Sequence, residues 1–149
     1  MSSKFLILVA EDDENDAFIL QRAFDKAGIL DPVQIVRDGQ QAMDYLSGAN
    51  QYADRSIYPM PGLAIFDIKM PRKDGFEALQ WVRRQHHLDQ LPVMMLSSSA
   101  ELCDIEKAYK LGANAYMVKR PQINEFCIAL KGACHFWKET SGATELPPI

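Results

Sequence analysis

Two apolar runs stop abruptly at acids. Residues 5–10 lead straight into Glu11, Asp12 and Asp13, and residues 63–66 lead straight into Asp67. If the fold brings these ends together, three or four carboxylates share one crevice, and they cannot all stay ionised without a cation. Oxygen donors with open positions suit Mg2+, which keeps several waters and takes one or two carboxylates plus phosphate oxygens. Two more apolar runs end in groups that complement phosphate: residues 93–96 in Ser97, followed by Ser98 and Ser99, and residues 115–118 in Lys119. A hydroxyl can hydrogen-bond a phosphoryl oxygen, and an ammonium can neutralise another. Plainer readings exist for each end. The acids at 11–16 suit a helix N-terminus and its dipole, a serine run caps helices, and a lysine is at home in a solvated loop. No one of these explains four strand ends at once.

The elements that must position these groups follow from periodicity. Strand-like apolar runs alternate with helical stripes, the pattern of a parallel sheet covered on both faces. The strands are expected at residues 5–10, 33–36, 63–66, 93–96 and 115–118, and the helices after Asn15 or Asp16 up to Gly28, then at 40–46, 75–84, 100–111 and 123–137. In the first helix Ala17, Leu20, Phe24 and Ala27 share a stripe, and Asp74 is placed to cap the third. Residues 49–61, with Tyr52, Tyr58 and two prolines, read as an extended surface loop. Five such units form an α/β doubly wound five-stranded sheet of flavodoxin-like order 2-1-3-4-5. That order sets the ends of strands one and three side by side, where ligands collect in these sheets.

The 149 residues suit one domain with a real core, a core of about 4–137 and a tail of 138–149. A hydrophobic fraction of 48% and a charged fraction of 24% fit a soluble globular chain, and no apolar stretch is long enough to span a bilayer, so the cytoplasm is the expected location. A net charge of −4 disfavours a general nucleic-acid surface. Cys103, Cys127 and Cys134 form no CxxC pair and are expected to be buried, reduced thiols. Adjacent His86 and His87 read as a helix end rather than a metal pair, and His135 as a surface or packing residue.

With these residues in place, the sequence resembles the response-regulator receiver family from Lys4 to about Trp137. The resemblance is carried by Ile7-Leu-Val-Ala-Glu-Asp-Asp13, Phe66-Asp-Ile-Lys-Met-Pro-Arg-Lys-Asp-Gly75, Pro92-Val-Met-Met-Leu-Ser97 and Gly112-Ala-Asn-Ala-Tyr-Met-Val-Lys119. It implies that Asp67 is the phosphoacceptor and that Glu11 and Asp12 are the metal-binding acid pair. Asp12 would touch Mg2+ directly, Glu11 through water, and the Lys69 carbonyl would complete the protein's share. Ser97 matches the family's hydroxyl residue, Lys119 its phosphate-contacting lysine and Tyr116 its aromatic switch, which would rotate inward as Ser97 moves. Asp13 would support the pair from behind. The implied function is two-component signalling: a sensor histidine kinase donates the phosphoryl group, and output is protein to protein, with no enzymatic turnover beyond the chain's own phosphorylation and dephosphorylation.

Residues 49–61, the Phe136-Trp137 pair and the Leu146-Pro-Pro end resemble stand-alone regulators that partner phytochrome-type kinases. That likeness implies homodimers through the fourth-helix, fifth-strand and fifth-helix face; the alternative is that Phe136 and Trp137 pack onto their own domain. Two departures bear on mechanism. The family usually has proline, after a cis bond, directly following the lysine; here Arg120 intervenes before Pro121. A cis bond before a non-proline residue costs roughly 2.5–4 kcal/mol, so either that cost is tolerated or the loop is rebuilt. Lys69, two places after Asp67, brings a long cation to where water would attack a phosphoryl group. Two other functions compete. A haloacid-dehalogenase-type phosphohydrolase needs an aspartate where Lys69 stands, and a receiver-like binding module that is never phosphorylated would not need the acids, hydroxyl and lysine together.

Overall fold

The computed structural model describes residues 5–120, 122–139 and 144–149. The strands are β1 (Ile7–Ala10), β2 (Val33–Val36), β3 (Leu63–Asp67), β4 (Val93–Ser97) and β5 (Ala115–Val118). The helices are α1 (Glu14–Lys26), α2 (Gly39–Ser47), α3 (Gly75–Arg83), α4 (Leu102–Lys110) and α5 (Ile123–Glu139). All four strand pairings are parallel, in the order β2-β1-β3-β4-β5 expected from the alternation. Among the described residues no helix is long and apolar enough to cross a membrane.

Strands buried on both faces need no polar alternation, which is why β1, β3 and β4 read as unbroken apolar runs. Their side chains still alternate between two cores. Leu8, Ala10, Ala64 and Phe66 point to one layer with Leu79 and Val82 of α3. Ile7, Val9, Leu63 and Ile65 point to the other, with Leu20 and Phe24 of α1 and Phe126, Leu130 and Trp137 of α5.

Several boundaries differ from the sequence reading. β3 and β4 each run one residue further, because Asp67 pairs with Leu96 and Ser97 with Val118 in the parallel register. The cap of α1 is Asp13, whose carboxylate accepts the Asp16 N–H at 2.9 Å, rather than Asn15 or Asp16. Asp74 caps α3 as expected, in a reciprocal pair with Glu77. Gly48 ends α2 at φ 71°, a left-handed cap that a Cβ would strain. Residues 49–61 are not a plain surface loop. A short 3-10 turn (Asn50–Tyr52) buries Tyr52 against Tyr45 and Tyr58, with ring centroids 5.0 and 5.1 Å away, and Tyr45 Oη donates to the Pro59 carbonyl. Cys127 and Cys134 are buried, but Cys103 is exposed on α4, whose inner face needs only Ala108 fully buried.

The tail is also more ordered than its composition predicts. Residues 144–149 run alongside β5. Leu146 N–H donates to Asn114 O at 2.7 Å, Ile149 N–H to Tyr116 O at 2.8 Å, and Val118 N–H to Ile149 O at 3.3 Å. Pro147 and Pro148 fall between the two donating amides, where no N–H is required. Tyr109 Oη donates to Leu146 O at 2.7 Å and Trp137 Nε1 to Thr144 O at 3.0 Å, so α4 and α5 both hold the segment. Trp137 is buried in its own core, which favours the packing alternative for that residue. Hydrogen exchange checks this arrangement: the Leu146 and Ile149 amides should exchange at least about tenfold more slowly than in an unstructured peptide, equivalent to a local opening cost above roughly 1.4 kcal/mol. Exchange at the unstructured rate would contradict it.

Candidate functional site

The register builds the crevice. Ala10 pairs with Phe66, so Glu11 and Asp67 leave adjacent strands at the same level. Asp67 pairs with Leu96 and Ser97 with Val118, which sets Ser97 and Lys119 at the next two strand ends. Glu11, Asp67 and Ser97 are 1%, 7% and 3% exposed, whereas Asp12 faces solvent. Glu11, Asp12 and Asp67 each offer a carboxylate oxygen within 4.8 Å of the others, the donor set and spacing that a divalent cation needs.

Lys119 reaches into this cluster. Its Nζ donates to Glu11 Oε1 at 2.8 Å, Asp16 Oδ2 at 2.8 Å and Asp67 Oδ2 at 3.1 Å. Burial alone would lower the lysine's pKa, but the bonds to Asp16 and Glu11 outweigh that and hold it above its ordinary range. Burial, and next the proximity of Asp67, push Glu11 up to about 8. An acid raised in this way binds its proton more tightly in the folded chain than in the unfolded one. The stability it contributes is therefore complete below the ordinary glutamate range and is lost as pH rises toward 8. A cation can take that proton's place, so Glu11 is suited to metal and poorly suited to standing ionised alone.

The loop after β3 is fastened from two sides. Gly75 N–H donates to Ile68 O at 2.9 Å, and a Cβ on Gly75 would collide with the Asp67 carbonyl; glycine is needed for space, not for its dihedrals. Arg72, at φ 64°, is held by Asp38, which accepts from its Nε at 2.8 Å and pairs with its guanidinium at 2.7 Å. Asp38 also caps α2, and Gly39 N–H donates to Lys73 O at 2.8 Å. The basic cluster is thus divided: Arg72 locks the loop, Lys73 lies 3.7 Å from Glu77, and Lys69 is exposed at the crevice mouth beside Asp12.

Residues 7–131 match the response regulator receiver domain. The chain belongs to that family. Receivers are signalling modules of two-component systems rather than enzymes in the usual sense, and the family binds a divalent metal. Among similar proteins, response regulator Rcp1 of Synechocystis sp. is 30% identical over 91% of this chain and 90% of its own length. The crystal structure of Rcp1 in its Mn2+-bound form superposes with a TM-score of 0.78 over 95% of this chain and 99% of that one. Response regulator RPA3017, in red light signaling of R. palustris, is 36% identical with a TM-score of 0.87, covering 95% of this chain and 99% of that one. The phosphorylated cyanobacterial phytochrome response regulator RcpA is 32% identical with a TM-score of 0.82 over 93% and 97%. RcpA is by its description a phytochrome response regulator, the subfamily that the loop and C-terminal features suggested.

The structure places the remaining expected residues of this receiver as follows. Tyr116 is wholly buried and its hydroxyl donates to Ser99 O at 2.7 Å, so the ring already occupies the inward position expected only after activation. Asp13 serves α1 as its cap. Every peptide bond among the described residues is trans, including Lys119–Arg120, so the rebuilt loop is the alternative observed; Pro121 lies outside the described residues. Asp16 and Asp38 were missed from the sequence. The sequence offered Asp16 only as a helix cap, and the local signal at Asp38 is only for its cap of α2; its partner Arg72 is 34 residues away.

Gly75→Ala tests how tightly this loop governs the acids. Overpacking of this kind costs typically about 1–3 kcal/mol, and displacement of the Asp67 main chain should weaken divalent-cation binding by about tenfold in a calorimetric titration, although no carboxylate is altered. Unchanged affinity would show that Asp67 is placed by its strand alone.

Proposed function

We propose that this chain, as one receiver domain over residues 1–149, accepts a phosphoryl group on Asp67 from a histidine kinase, with Mg2+ held by Glu11, Asp12, Asp67 and the Lys69 carbonyl. The observation that carries this reading is the placement of Asp67: at the carboxyl edge of the sheet, within the three-carboxylate cluster, and 3.1 Å from Lys119 Nζ. An Asp67 oxygen attacks the phosphorus of a phosphohistidine in line; the new O–P bond forms as the N–P bond breaks, and the departing imidazole nitrogen takes the electron pair. Mg2+ would supply charge neutralisation for the phosphoryl oxygens. The chain's own groups provide the rest. Lys119 neutralises another oxygen, Ser97 offers its hydroxyl, and the buried strand ends hold Asp67 so that little reorganisation is needed.

The likeness to the phytochrome response regulator RcpA, and to a regulator of red light signaling, supports a phytochrome-type kinase as donor. Output is protein to protein. The α4-β5-α5 face includes the switch residue Tyr116, whose hydroxyl reaches the β4-α4 connection and whose carbonyl accepts from the tail, so a change at Ser97 can pass to that surface. We assign homodimerisation to this face. The competing reading, a binding module that is never phosphorylated, gains nothing from a crevice that gathers three acids and a lysine, with Ser97 at the neighbouring strand end.

Intact mass after treatment with acetyl phosphate and Mg2+ should rise by one phosphoryl group in the wild type and not in Asp67→Asn. Modification of both proteins, or of neither, would favour the binding-module reading. Lys69, standing free at the crevice mouth, should impede attacking water, so Lys69→Ala should hasten loss of the group by about threefold, roughly 0.7 kcal/mol in barrier. An unchanged decay rate would remove Lys69 from the mechanism.

A further inference from the structure

Of the three carboxylates that hold Lys119, two belong to the metal cluster and one does not. Glu11 and Asp67 share their oxygens between the lysine and any cation, because both lie in the three-acid group. Asp16 stands outside that group and still binds the lysine at 2.8 Å. We propose that Asp16 is a positioning residue: it fixes the Lys119 ammonium against Asp67 while the other two acids turn to the metal, and so takes over the aiming of this lysine. The inference rests on the phosphoacceptor reading given above.

The geometry supports a fixed rather than a passing contact. Asp16 lies in the first turn of α1, and its own N–H is tied to the Asp13 cap at 2.9 Å, so the carboxylate is carried on a seated backbone. The lysine's main chain is equally anchored, since Lys119 N–H donates to Ser97 O at 2.7 Å. What lies between these anchors is a flexible four-carbon stem, and its free end is held by Asp16 as well as by Asp67. The residue after the lysine does not take this part. Arg120 follows through a trans bond, and its Nε is buried without a partner. Asp16 does not draw the ammonium away from the acceptor either, because the lysine reaches both carboxylates at once, at 2.8 and 3.1 Å. A phosphoryl group on Asp67 would therefore meet an ammonium already in place. Asp16 is half-buried, so water competes for the pair and the effect should be moderate.

The test is a double-mutant cycle read in two ways. In the metal-free full chain, the side-chain ammonium of Lys119 should give a slowly exchanging 1H–15N signal that Asp16→Asn broadens or removes and Asp16→Glu restores. With acetyl phosphate and Mg2+, Asp16→Asn should slow modification of Asp67 by about fivefold to tenfold, with metal affinity within twofold of wild type. In a Lys119→Ala background the same substitution should have no further effect, because Asp16 acts only through that lysine. An unaltered ammonium signal in Asp16→Asn would overturn the proposal, as would an equal loss of rate with and without Lys119, which would mark Asp16 as a structural helix residue. If Asp67 is not modified in wild type, the phosphoacceptor reading fails, and the ammonium signal alone then decides whether Asp16 holds Lys119.

Discussion

The repulsion between two carboxylates that end neighbouring strands, Glu11 and Asp67, is the constraint on which the rest of the site depends. The sheet register fixes their closeness, and burial denies them the water that would screen it. In such a place like charges cannot coexist unless something positive, or a proton, stands between them. The fold answers with Lys119, the residue after β5, which bonds both acids and gains a third partner on α1. The answer is incomplete, since burial first, and Asp67 next, still hold Glu11 well above its ordinary range. That residual demand for positive charge, with three carboxylates within 4.8 Å, suits the crevice to a divalent cation.

Much of this was legible in the sequence because strand ends in a parallel sheet are punctuated by residue type. Apolar runs that stop at Glu11, Asp67, Ser97 and Lys119 announce a polar rim, and alternation of strands and helices gives an order that brings those ends together. The helix stripe of α1 and the capping role of Asp74 were equally local signals. What could not be read was anything decided by the partner across space. Asp16 looked like a cap because capping is a local property; only the fold shows that Asp13 caps and that Asp16 binds a lysine 103 residues away. The tyrosine cluster of Tyr45, Tyr52 and Tyr58 turned an apparent loop into a packed corner for the same reason.

The contacts around β5 form one connected system. Ser97 closes β4, Lys119 closes β5, and Tyr116 between them joins two systems: its hydroxyl reaches the Ser99 carbonyl, while its own carbonyl receives Ile149 from the tail. The tail in turn is pinned by Tyr109 of α4 and Trp137 of α5. Tyr116, the tail and both flanking helices are thus joined by one chain of contacts. Arg72 and Asp38 fasten the loop between β3 and α3.

The central claim is that Glu11 and Asp67 form a charge-starved pair that a divalent cation completes. Its most direct test is a pH titration of the side-chain carboxyl 13C signals by NMR, with and without saturating Mg2+. The account predicts that Glu11 titrates near 8 in the metal-free protein and returns toward the ordinary carboxylate range when the cation binds, with release of a proton at neutral pH. If Glu11 titrates in the ordinary range with and without Mg2+, the pair does not compete for charge and the account is contradicted.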